Sequence, residues 1–456
     1  MTVSTATVSL CVVGSGPSGL YMADALARRH AGARIDVLDR LPTPFGLVRA
    51  GVAPDHPGTK AITRQFDRTL ARPGVRFRGN VTVGRDVTLA EVRAVYDAVV
   101  LAVGAPEDRR LGIPGEDLAG VHGSGAFVGW YNGHPDHAAP APRLPGPAVA
   151  IIGTGNVALD VARVLAKTPE EMTKGDLCAH AAKVIHAAPL TDIWVVGRRG
   201  PPEAAFTPAE LAELGHLTRA RPVVEAAALP DAPPARLDTA TAKHVEKNLE
   251  ILRDFAARPD AEAAPVRIRF LFNAAPQAIE GVDGAVTGLR LARTRMDGIQ
   301  AVPTGEVFTV PIGTVVSAIG YRCRPLEGIP LDETRGTIAN TDGMVAKGLF
   351  VVGWARRGPA GVIPANRADA MAIAERLAGW LAEHAGGAKP GPDALDALLA
   401  GRGVRVVSLE DWERINRTEI ARGAAAGRSR QKITSVTEML ALLDATSTDV
   451  NAASRA

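Results

Sequence analysis

The stretch Val8-Ser9-Leu10-Cys11-Val12-Val13-Gly14-Ser15-Gly16-Pro17-Ser18-Gly19 decides the fold of this chain. Its first six residues are mostly apolar, which predicts a buried β-strand that ends at glycines spaced Gly-x-Gly-x-x-Gly. Residues 20–29 predict the helix that follows, and residues 34–38 predict a second strand. A glycine turn between a strand and a helix predicts a dinucleotide-binding β-α-β unit.

Each glycine of this first turn has its own task. Gly14 permits the tight turn, Gly16 lets the backbone approach a pyrophosphate, and Gly19 permits close packing of helix on strand. The pyrophosphate would lie against the N–H groups at the positive end of the helix. Asp39 ends the second strand, where its carboxylate accepts hydrogen bonds from ribose hydroxyls and repels a 2′-phosphate. We therefore predict that this site binds FAD or NAD.

A second glycine turn, Gly153-Thr154-Gly155-Asn156-Val157-Ala158, repeats the arrangement between a predicted strand (148–152) and helix (157–166). The next predicted strand, residues 193–196, comes about forty residues after Gly155, so an insertion must separate helix and strand. That strand is followed by Arg198 and Arg199 instead of an acid, and two guanidinium groups suit a 2′-phosphate. We therefore predict FAD at the first turn and NADPH at the second, with flavin N5 accepting the nicotinamide hydride.

Further elements extend this pattern over the chain. Residues 96–103, 314–319 and 349–352 predict buried strands, residues 367–383 predict a helix, and residues 385–392 predict a linker. Strands and helices that alternate around two glycine turns predict an α/β protein with two Rossmann-like, three-layer dinucleotide-binding domains.

The composition excludes several classes of function. The chain has 456 residues, of which 46% are hydrophobic and 4% aromatic, and its net charge is +3, so we expect a large core and no nucleic-acid binding. Cys11, Cys178 and Cys323 form no CxxC pair, so we expect a reducing cytoplasm and no metal site, iron–sulfur cluster or redox disulfide. The apolar run at residues 8–13 is too short to span a membrane, so we expect no membrane insertion.

Longer segments carry a specific resemblance. They are PFGLVR (44–49), GVAPDHP (51–57), IPGED (113–117), GWYN (129–132), GNVALDVAR (155–163), GRRGP (197–201) and the stretch from Gly353 to Ile363. With these segments, from residue 8 to about residue 432, the chain resembles the adrenodoxin reductase family of ferredoxin–NADP⁺ reductases, including its actinobacterial members. The family usually has glutamate where Asp39 stands, so this carboxylate reaches the same ribose from a shorter side chain.

The resemblance implies an NADP domain (residues 106–322) inserted into an FAD domain whose two parts are residues 1–105 and 323–456, the second with a C-terminal extension. Gly104 and Gly320 mark the two crossings. Together the turns and the resemblance place FAD contacts at Gly14, Gly16, Pro17, Ser18, Gly19, Asp39, Leu47, Val81, Trp354, Gly361, Val362 and Ile363. They place NADPH contacts at Arg109, Gly153, Gly155, Asn156, Val157, Arg198, Arg199, Glu210 and Gly361.

Three further residues are implied as catalytic. His56 would tune the flavin or relay protons, and Asp160 and Glu213 would face it. Simpler readings stay open: His56 caps a loop, Glu213 and Glu210 lie on a solvated helix face, and Trp354 packs in the core.

The resemblance also implies the electron acceptor. It is a separate iron–sulfur ferredoxin that takes single electrons and feeds, in this family, a haem-thiolate monooxygenase. Because ferredoxins are acidic, we expect a basic face, with candidates at Arg64, Arg68, Arg72, Arg76 and Arg78. The alternatives are an NADPH-dependent flavoprotein with another acceptor, of monooxygenase or oxidase type, and an electron-input module of a larger redox complex.

Overall fold

The structure, a computed structural model, describes residues 8–139, 142–384 and 389–453, and the side chains of the last helix as far as residue 445. Its strands are β1 Ser9–Val13, β2 Arg34–Leu38, β3 Val75–Arg78, β4 Ala98–Leu101, β5 Glu107–Asp108, β6 Val121–Gly123, β7 Ala148–Ile152, β8 Asp192–Val196, β9 Ala220–Val224, β10 Val266–Leu271, β11 Ala274–Val282, β12 Ala285–Asp297, β13 Gln300–Pro311, β14 Thr314–Ser317, β15 Tyr321–Arg322, β16 Leu331–Asp332, β17 Thr337–Ile338, β18 Met344–Ala346 and β19 Leu349–Val351.

The α-helices are α1 Pro17–Arg29, α2 Leu47–Ala50, α3 Pro57–Lys60, α4 Thr63–Leu70, α5 Leu89–Val95, α6 Ser124–Asn132, α7 Asn156–Ala166, α8 Ala179–Ala187, α9 Pro208–Glu213, α10 Thr239–Ala256, α11 Trp354–Arg357, α12 Ile363–His384, α13 Pro392–Gly401, α14 Leu409–Ala425 and α15 Val436–Ala453. No helix among the described residues is long and apolar enough to cross a membrane.

The first six-stranded sheet has the order β18-β19-β4-β1-β2-β3, and all its pairs are parallel except β18 with β19. Its central strands β19, β4 and β1 are short and wholly buried, because helices cover both faces, whereas the outer strands β3 and β18 are partly exposed. One face packs against α1, α4 and α12 together with the C-terminal helices α14 and α15, and the other against α5 and α13. The predicted three-layer unit around the first glycine turn is confirmed.

The second sheet, in the order β6-β14-β7-β8-β10-β9, is parallel throughout. Helices α6 to α10 contribute to the core on one face. On the other face lies an antiparallel sheet, β11-β12-β13, which buries Ile279, Val286, Leu289 and Leu291 against the parallel strands. No sequence pattern had predicted this sheet. The predicted α/β class with two Rossmann-like units is confirmed, and the third layer of the second unit is a sheet.

The strands of the first sheet come from residues 9–101 and 344–351, and those of the second from residues 121–317. Between them β5 and β15 pair as an antiparallel ribbon that joins neither sheet. Gly104 and Gly320, next to this ribbon, have φ angles of 70° and 104°, which favour glycine. The exact domain boundaries stay a prediction.

The bounds of several predicted elements differ from the observed ones: α1 begins at Pro17 instead of residue 20, and β4 spans only Ala98–Leu101 of the predicted strand 96–103. Helix α12 begins at Ile363, four residues before the predicted start, because a proline at position 364 is tolerated in the first turn of a helix. Of the predicted linker 385–392, residues 385–388 lie outside the described part of the chain, and Pro392 already begins α13.

Candidate cofactor and catalytic site

The first glycine turn forms a cradle at the start of α1, where Pro17 is the first helical residue. A Cβ on Gly14 would lie 2.4 Å from the carbonyl oxygen of Ala102, and one on Gly19 would lie 1.9 Å from a turn carbonyl. A Cβ on Gly16 would meet only one atom, at 3.9 Å. The fold therefore requires glycine at the first and third positions, and at the second position glycine leaves room for a phosphate to approach the backbone.

Asp39 is held firmly at the ribose end of this cradle. Its Oδ2 accepts hydrogen bonds from the Ser15 N–H (3.0 Å) and the Ser15 hydroxyl, and its Oδ1 accepts one from the Leu41 N–H (2.9 Å). Burial raises the pKa of this carboxyl, and the Ser15 hydrogen bonds oppose that effect. Because an ionised carboxylate offers about four lone-pair sites, one remains for a ribose hydroxyl. Val81 N–H donates to the Asp39 carbonyl at 2.9 Å, so Val81 belongs to the same wall.

Leu47 lies beside the glycine turn on the other side. It begins α2 directly after Gly46, whose Cβ would come within 3.0 Å of Gly16 Cα, and its side chain is 47% exposed. The segment PFGLVR is thus packed against the first cradle with one apolar side chain facing outward.

Ser18 connects the cradle to α12. Its hydroxyl donates to Asn366 Oδ1 at 3.1 Å, and a Cβ on Gly353 would come 2.0 Å from that hydroxyl oxygen. Trp354 follows Gly353 and stacks on Tyr321, with ring centroids 6.0 Å apart. The Trp354 Nε1 is buried without a hydrogen-bond partner among the described residues, as expected of a donor that faces a bound group.

Residues Gly361, Val362 and Ile363 lead into α12, and Val362 is 59% exposed. The structure therefore brings the predicted FAD residues of both chain segments to one end of the first sheet, around the N-termini of α1 and α12.

The second glycine turn has the same construction. A Cβ on Gly153 would lie 2.3 Å from the carbonyl oxygen of Ala318, while one on Gly155 would meet nothing within 4 Å. Asn156 begins α7, and its Oδ1 accepts a hydrogen bond from the Thr207 N–H at 2.8 Å. The turn is thus a second open cradle at the N-terminus of a helix, next to Val157.

Arg198 and Arg199 follow β8 at the ribose end of this cradle. Their backbone carbonyls accept hydrogen bonds from Thr294 Oγ1 (2.7 Å) and from the Asn273 N–H (3.1 Å). Both side chains are exposed, and neither forms an ion pair within the described part of the chain. The backbone is therefore fixed while two guanidinium groups stay available for an anionic ligand.

Arg109 takes a different position from the other predicted NADPH residues. It lies at the β5–β15 ribbon, where its Nε donates to the Tyr321 carbonyl (3.1 Å) and its Nη2 to the Arg335 carbonyl (2.6 Å). These hydrogen bonds hold its side chain at the ribbon and do not connect it to the second glycine turn.

The predicted catalytic residues meet around a buried arginine that the sequence analysis did not single out. Arg163 on α7 is fully buried and is surrounded by four carboxylates. Its guanidinium donates to Asp55 and to Asp160 at 2.7 Å each, and lies 3.1 Å from Glu210 and 3.4 Å from Glu213. One cation thus holds groups from three separate segments in one cluster.

His56 lies between this arginine and the glutamates of α9. Its Nδ1 faces Arg163 Nη2 at 3.5 Å, and because a guanidinium only donates, the Nδ1 is the acceptor. The ring proton is therefore on Nε2, which donates to Glu213 Oε2 at 2.9 Å. Glu213 is 44% exposed, so the His56–Glu213 pair connects the buried cluster with solvent.

The same His56 nitrogen lies close to Glu210 Oε2, at 3.8 Å, and together with Glu213 the three residues place potential metal-ligand atoms within 4.8 Å of one another. A metal would require the lone pair of Nε2, whereas Arg163 favours the tautomer that carries the proton there. The geometry favours a hydrogen-bonded chain over a cation site, and the absence of a metal stays a prediction.

Asp160 is a carboxyl group of this cluster whose pKa is raised toward neutral pH. Burial raises its pKa from 3.8 to about 6, Arg163 opposes this effect, and the charge of Glu210 adds to it. Burial also raises the pKa of Tyr321 to about 12, with a smaller contribution from Asp160. Tyr321 in turn stacks on Trp354, so the charge of Asp160 acts on a ring that packs against the wall of the first cradle.

Asp55 and Lys167 also belong to this cluster, and neither was predicted from the sequence as a site residue. Lys167 Nζ lies 2.7 Å from Asp55 Oδ2, and Arg163 and Lys167 hold the pKa of Asp55 well below its usual range despite burial. An arginine on the otherwise apolar face of α7, three residues after Asp160, was the available signal.

The five arginines predicted as a basic face do not act together. Arg72 pairs with Asp24 (2.8 Å), Arg76 with Asp36 (2.7 Å), and Arg76 and Arg78 both pair with Asp396. The prediction is wrong for these three, because the ion pairs satisfy their charges within the chain. Arg64 and Arg68 are exposed on α4 and form no ion pair among the described residues.

Comparisons with known proteins agree with this geometry. The family model for pyridine nucleotide-disulphide oxidoreductases matches residues 8–190. The chain is 42% identical over 461 residues to the mitochondrial NADPH:adrenodoxin oxidoreductase of Rattus norvegicus, covering 96% of this chain and 92% of the rat protein. It is 39% identical to the NADPH-ferredoxin reductase FprA of Mycobacterium leprae, covering 94% and 97% of the two chains. The solved structure of Mycobacterium tuberculosis FprA in complex with NADPH superposes with a TM-score of 0.91 at 38% identity, covering 96% of this chain and 99% of that one.

Proposed function

This chain belongs to the NADPH:adrenodoxin oxidoreductase family, and from that premise we propose that it is a ferredoxin–NADP⁺ reductase. It binds FAD at the first glycine turn and NADPH at the second, and it passes electrons from NADPH to a separate iron–sulfur ferredoxin. One observation carries the proposal: two open glycine cradles end in opposite charges, Asp39 at one and the Arg198–Arg199 pair at the other. The carboxylate disfavours a 2′-phosphate and the guanidinium groups favour it.

FAD, when bound, accepts a hydride and releases electrons one at a time. Most predicted contacts keep their roles in this proposal: the first turn, Asp39, Leu47, Val81 and Trp354 for FAD, and the second turn with Arg198 and Arg199 for NADPH. Arg109, which is held at the β5–β15 ribbon, and Glu210, which pairs with Arg163, stay predicted NADPH contacts. Residues 361–363 would line the flavin. Domain boundaries at residues 105/106 and 322/323 are part of the proposal, supported by the division of strands between the two sheets.

In this proposal, the side chains around Arg163 hold and move protons. Burial raises the pKa of Asp160 to about 6, so this carboxyl holds or releases a proton close to neutral pH, and its charge acts on Tyr321, which stacks on Trp354. Glu213 accepts the Nε2 proton of His56 and leads it toward solvent. Arg163 fixes both carboxylates, so we assign it as a positioning residue.

A cytoplasmic location is also proposed. Cys11, Cys178 and Cys323 are all buried free thiols, the state that a reducing compartment maintains.

Anaerobic titration of the purified holoprotein tests the function. NADPH is expected to bleach the flavin absorbance much faster than NADH, and an oxidised [2Fe–2S] ferredoxin is expected to restore it. A protein that binds no flavin, or that prefers NADH, would refute the cofactor assignment. Rapid reoxidation by oxygen with ferredoxin inert would instead support an oxidase-type flavoprotein.

A further inference from the structure

A groove of about 520 Å³ runs between α4 and α12. Tyr21 of α1 forms its floor, because α1 packs between the other two helices. Ile62, Arg64 and Arg68 line one wall, and Ile363 and Pro364 line the other. This α4–α12 groove opens on the surface next to the residues that lead into α12.

Two arginines line the groove and a third follows its α12 wall in the sequence, and none of the three forms an ion pair or side-chain hydrogen bond within the described residues. Arg64 and Arg68 are one helical turn apart on α4, and both are exposed. Arg367, exposed on α12, comes one turn after Ile363. Burial raises the pKa of Tyr21 on the groove floor, and the positive charge of Arg367 opposes that rise.

The acidic groups near these helices do not cancel this charge. Asp67 of α4 faces away from the groove, toward Glu413 and Arg430. Asp369 of α12 is buried in ion pairs with Arg356 and Arg357. The groove is therefore locally basic although the chain as a whole carries a net charge of only +3.

Apolar side chains lie beside these charges. Val362 is 59% exposed, Pro364 is exposed, and Met371, two turns further along the same face of α12, is 49% exposed. Exposed apolar residues surrounded by arginines are typical of a transient protein interface, in which apolar contacts lie at the centre and charges at the rim.

The groove also lies close to the site of electron transfer. Its α12 wall begins at Ile363, and the segment from Gly361 to Ile363 is the one that lines the flavin in the proposed function. A protein seated in the groove would place its redox centre next to that segment, which favours rapid transfer of single electrons.

We propose that the α4–α12 groove is the docking surface for the ferredoxin, and that Arg64, Arg68 and Arg367 pair with carboxylates around its iron–sulfur cluster. This inference rests on the proposed function, because the flavin segment and the acceptor both come from it. Small, electrostatically steered interfaces of this kind permit fast association and release.

Charge reversal tests the surface. The variant Arg64→Glu/Arg68→Glu is compared with Arg290→Glu/Arg295→Glu, which makes the same change in net charge on two exposed arginines of β12 that form no ion pair among the described residues. The assay is steady-state reduction of a recombinant acidic [2Fe–2S] ferredoxin by the holoenzyme with NADPH, alongside reduction of ferricyanide. The groove variant should raise the KM for ferredoxin about tenfold at low ionic strength, with ferricyanide reduction unchanged.

The dependence of the ferredoxin KM on salt concentration gives a second comparison of the variants. The wild type and the control should lose ferredoxin affinity as salt rises, while the groove variant should respond much less, because its favourable charges are already gone. An equal ferredoxin KM in both variants overturns the docking surface and leaves the proposed function intact. A wild-type enzyme that is reduced by NADPH but never reduces ferredoxin overturns both.

Discussion

Replacing Asp160 with asparagine should make the stability of the protein less dependent on pH. The Asp160 carboxyl is buried beside Glu210, and its pKa rises from 3.8 to about 6 in the folded state. A raised pKa means that folding favours the protonated acid. The resulting stabilisation is complete below pH 3.8 and is lost as pH rises through 6, and in total it amounts to about 3 kcal/mol.

Part of this free-energy difference can be measured between pH 5 and pH 8. At pH 8 Asp160 is ionised and the full cost is present, whereas at pH 5, one unit below the folded pKa, between about 1 and 2 kcal/mol of it is relieved. An asparagine side chain cannot ionise, so the Asp160→Asn variant should gain that amount of stability relative to wild type on going from pH 5 to pH 8. Urea titrations of the holoprotein at both pH values, followed by circular dichroism, measure the difference.

Asp192→Asn is the matched control. Asp192 lies between Arg267 and Arg269, and the hydrogen bonds from both arginines hold its pKa at about 2 despite partial burial. Its stabilising effect is lost only as pH falls through that value, so this variant should lose equal stability at pH 5 and pH 8. If Asp160→Asn behaves like the control, or loses more stability at pH 8 than at pH 5, the assignment of a raised pKa is wrong.

Three further predictions follow from the two cradles and the C-terminal helices. Gly155→Ala should fold normally, because its Cβ meets nothing within 4 Å, but it should raise the KM for NADPH. Gly19→Ala should fail to fold or should lose FAD, because its Cβ would lie 1.9 Å from a carbonyl oxygen. Circular dichroism and flavin content distinguish the two outcomes. Arg198→Ala with Arg199→Ala should raise the KM for NADPH by about 30- to 150-fold, equivalent to about 2–3 kcal/mol for two exposed charge-assisted contacts, and leave the KM for NADH nearly unchanged; an equal rise for both coenzymes contradicts a 2′-phosphate role. Glu419→Ala should destabilise the protein by about 3–5 kcal/mol, since this fully buried carboxylate pairs with two arginines, and thermal denaturation of the holoprotein that matches wild type would argue against it.

The sequence predicted the backbone geometry of the two glycine turns well. The tasks of Gly14 and Gly153 depend on backbone conformation within one turn, and both have positive φ angles and lie against a carbonyl of the neighbouring strand. Asp39 and Arg198 directly follow their strands, so their place at the ribose end follows from the β-α-β pattern.

Contacts between residues far apart in the sequence could not be predicted from local patterns. Arg163 contacts Asp55 and Glu213, which are 108 residues before it and 50 residues after it in the sequence, and no local pattern indicates that these segments meet. The antiparallel sheet of β11 to β13 was missed for a related reason: its strands are partly exposed, and their buried residues became recognisable only against the face that they cover.

By itself, the sequence was enough to predict where the two dinucleotides bind and which of them carries a 2′-phosphate, because those predictions depend on neighbouring residues along one strand and one turn. Only the tertiary structure decided which charges remain available to a partner. Arg76 and Arg78 pair with Asp396, more than three hundred residues away, while Arg64 and Arg68 have no ion-pair partner in the part of the chain that the structure describes. Every arginine carries a positive charge, but whether it forms an ion pair depends on whether the fold places a carboxylate within about 4 Å of it.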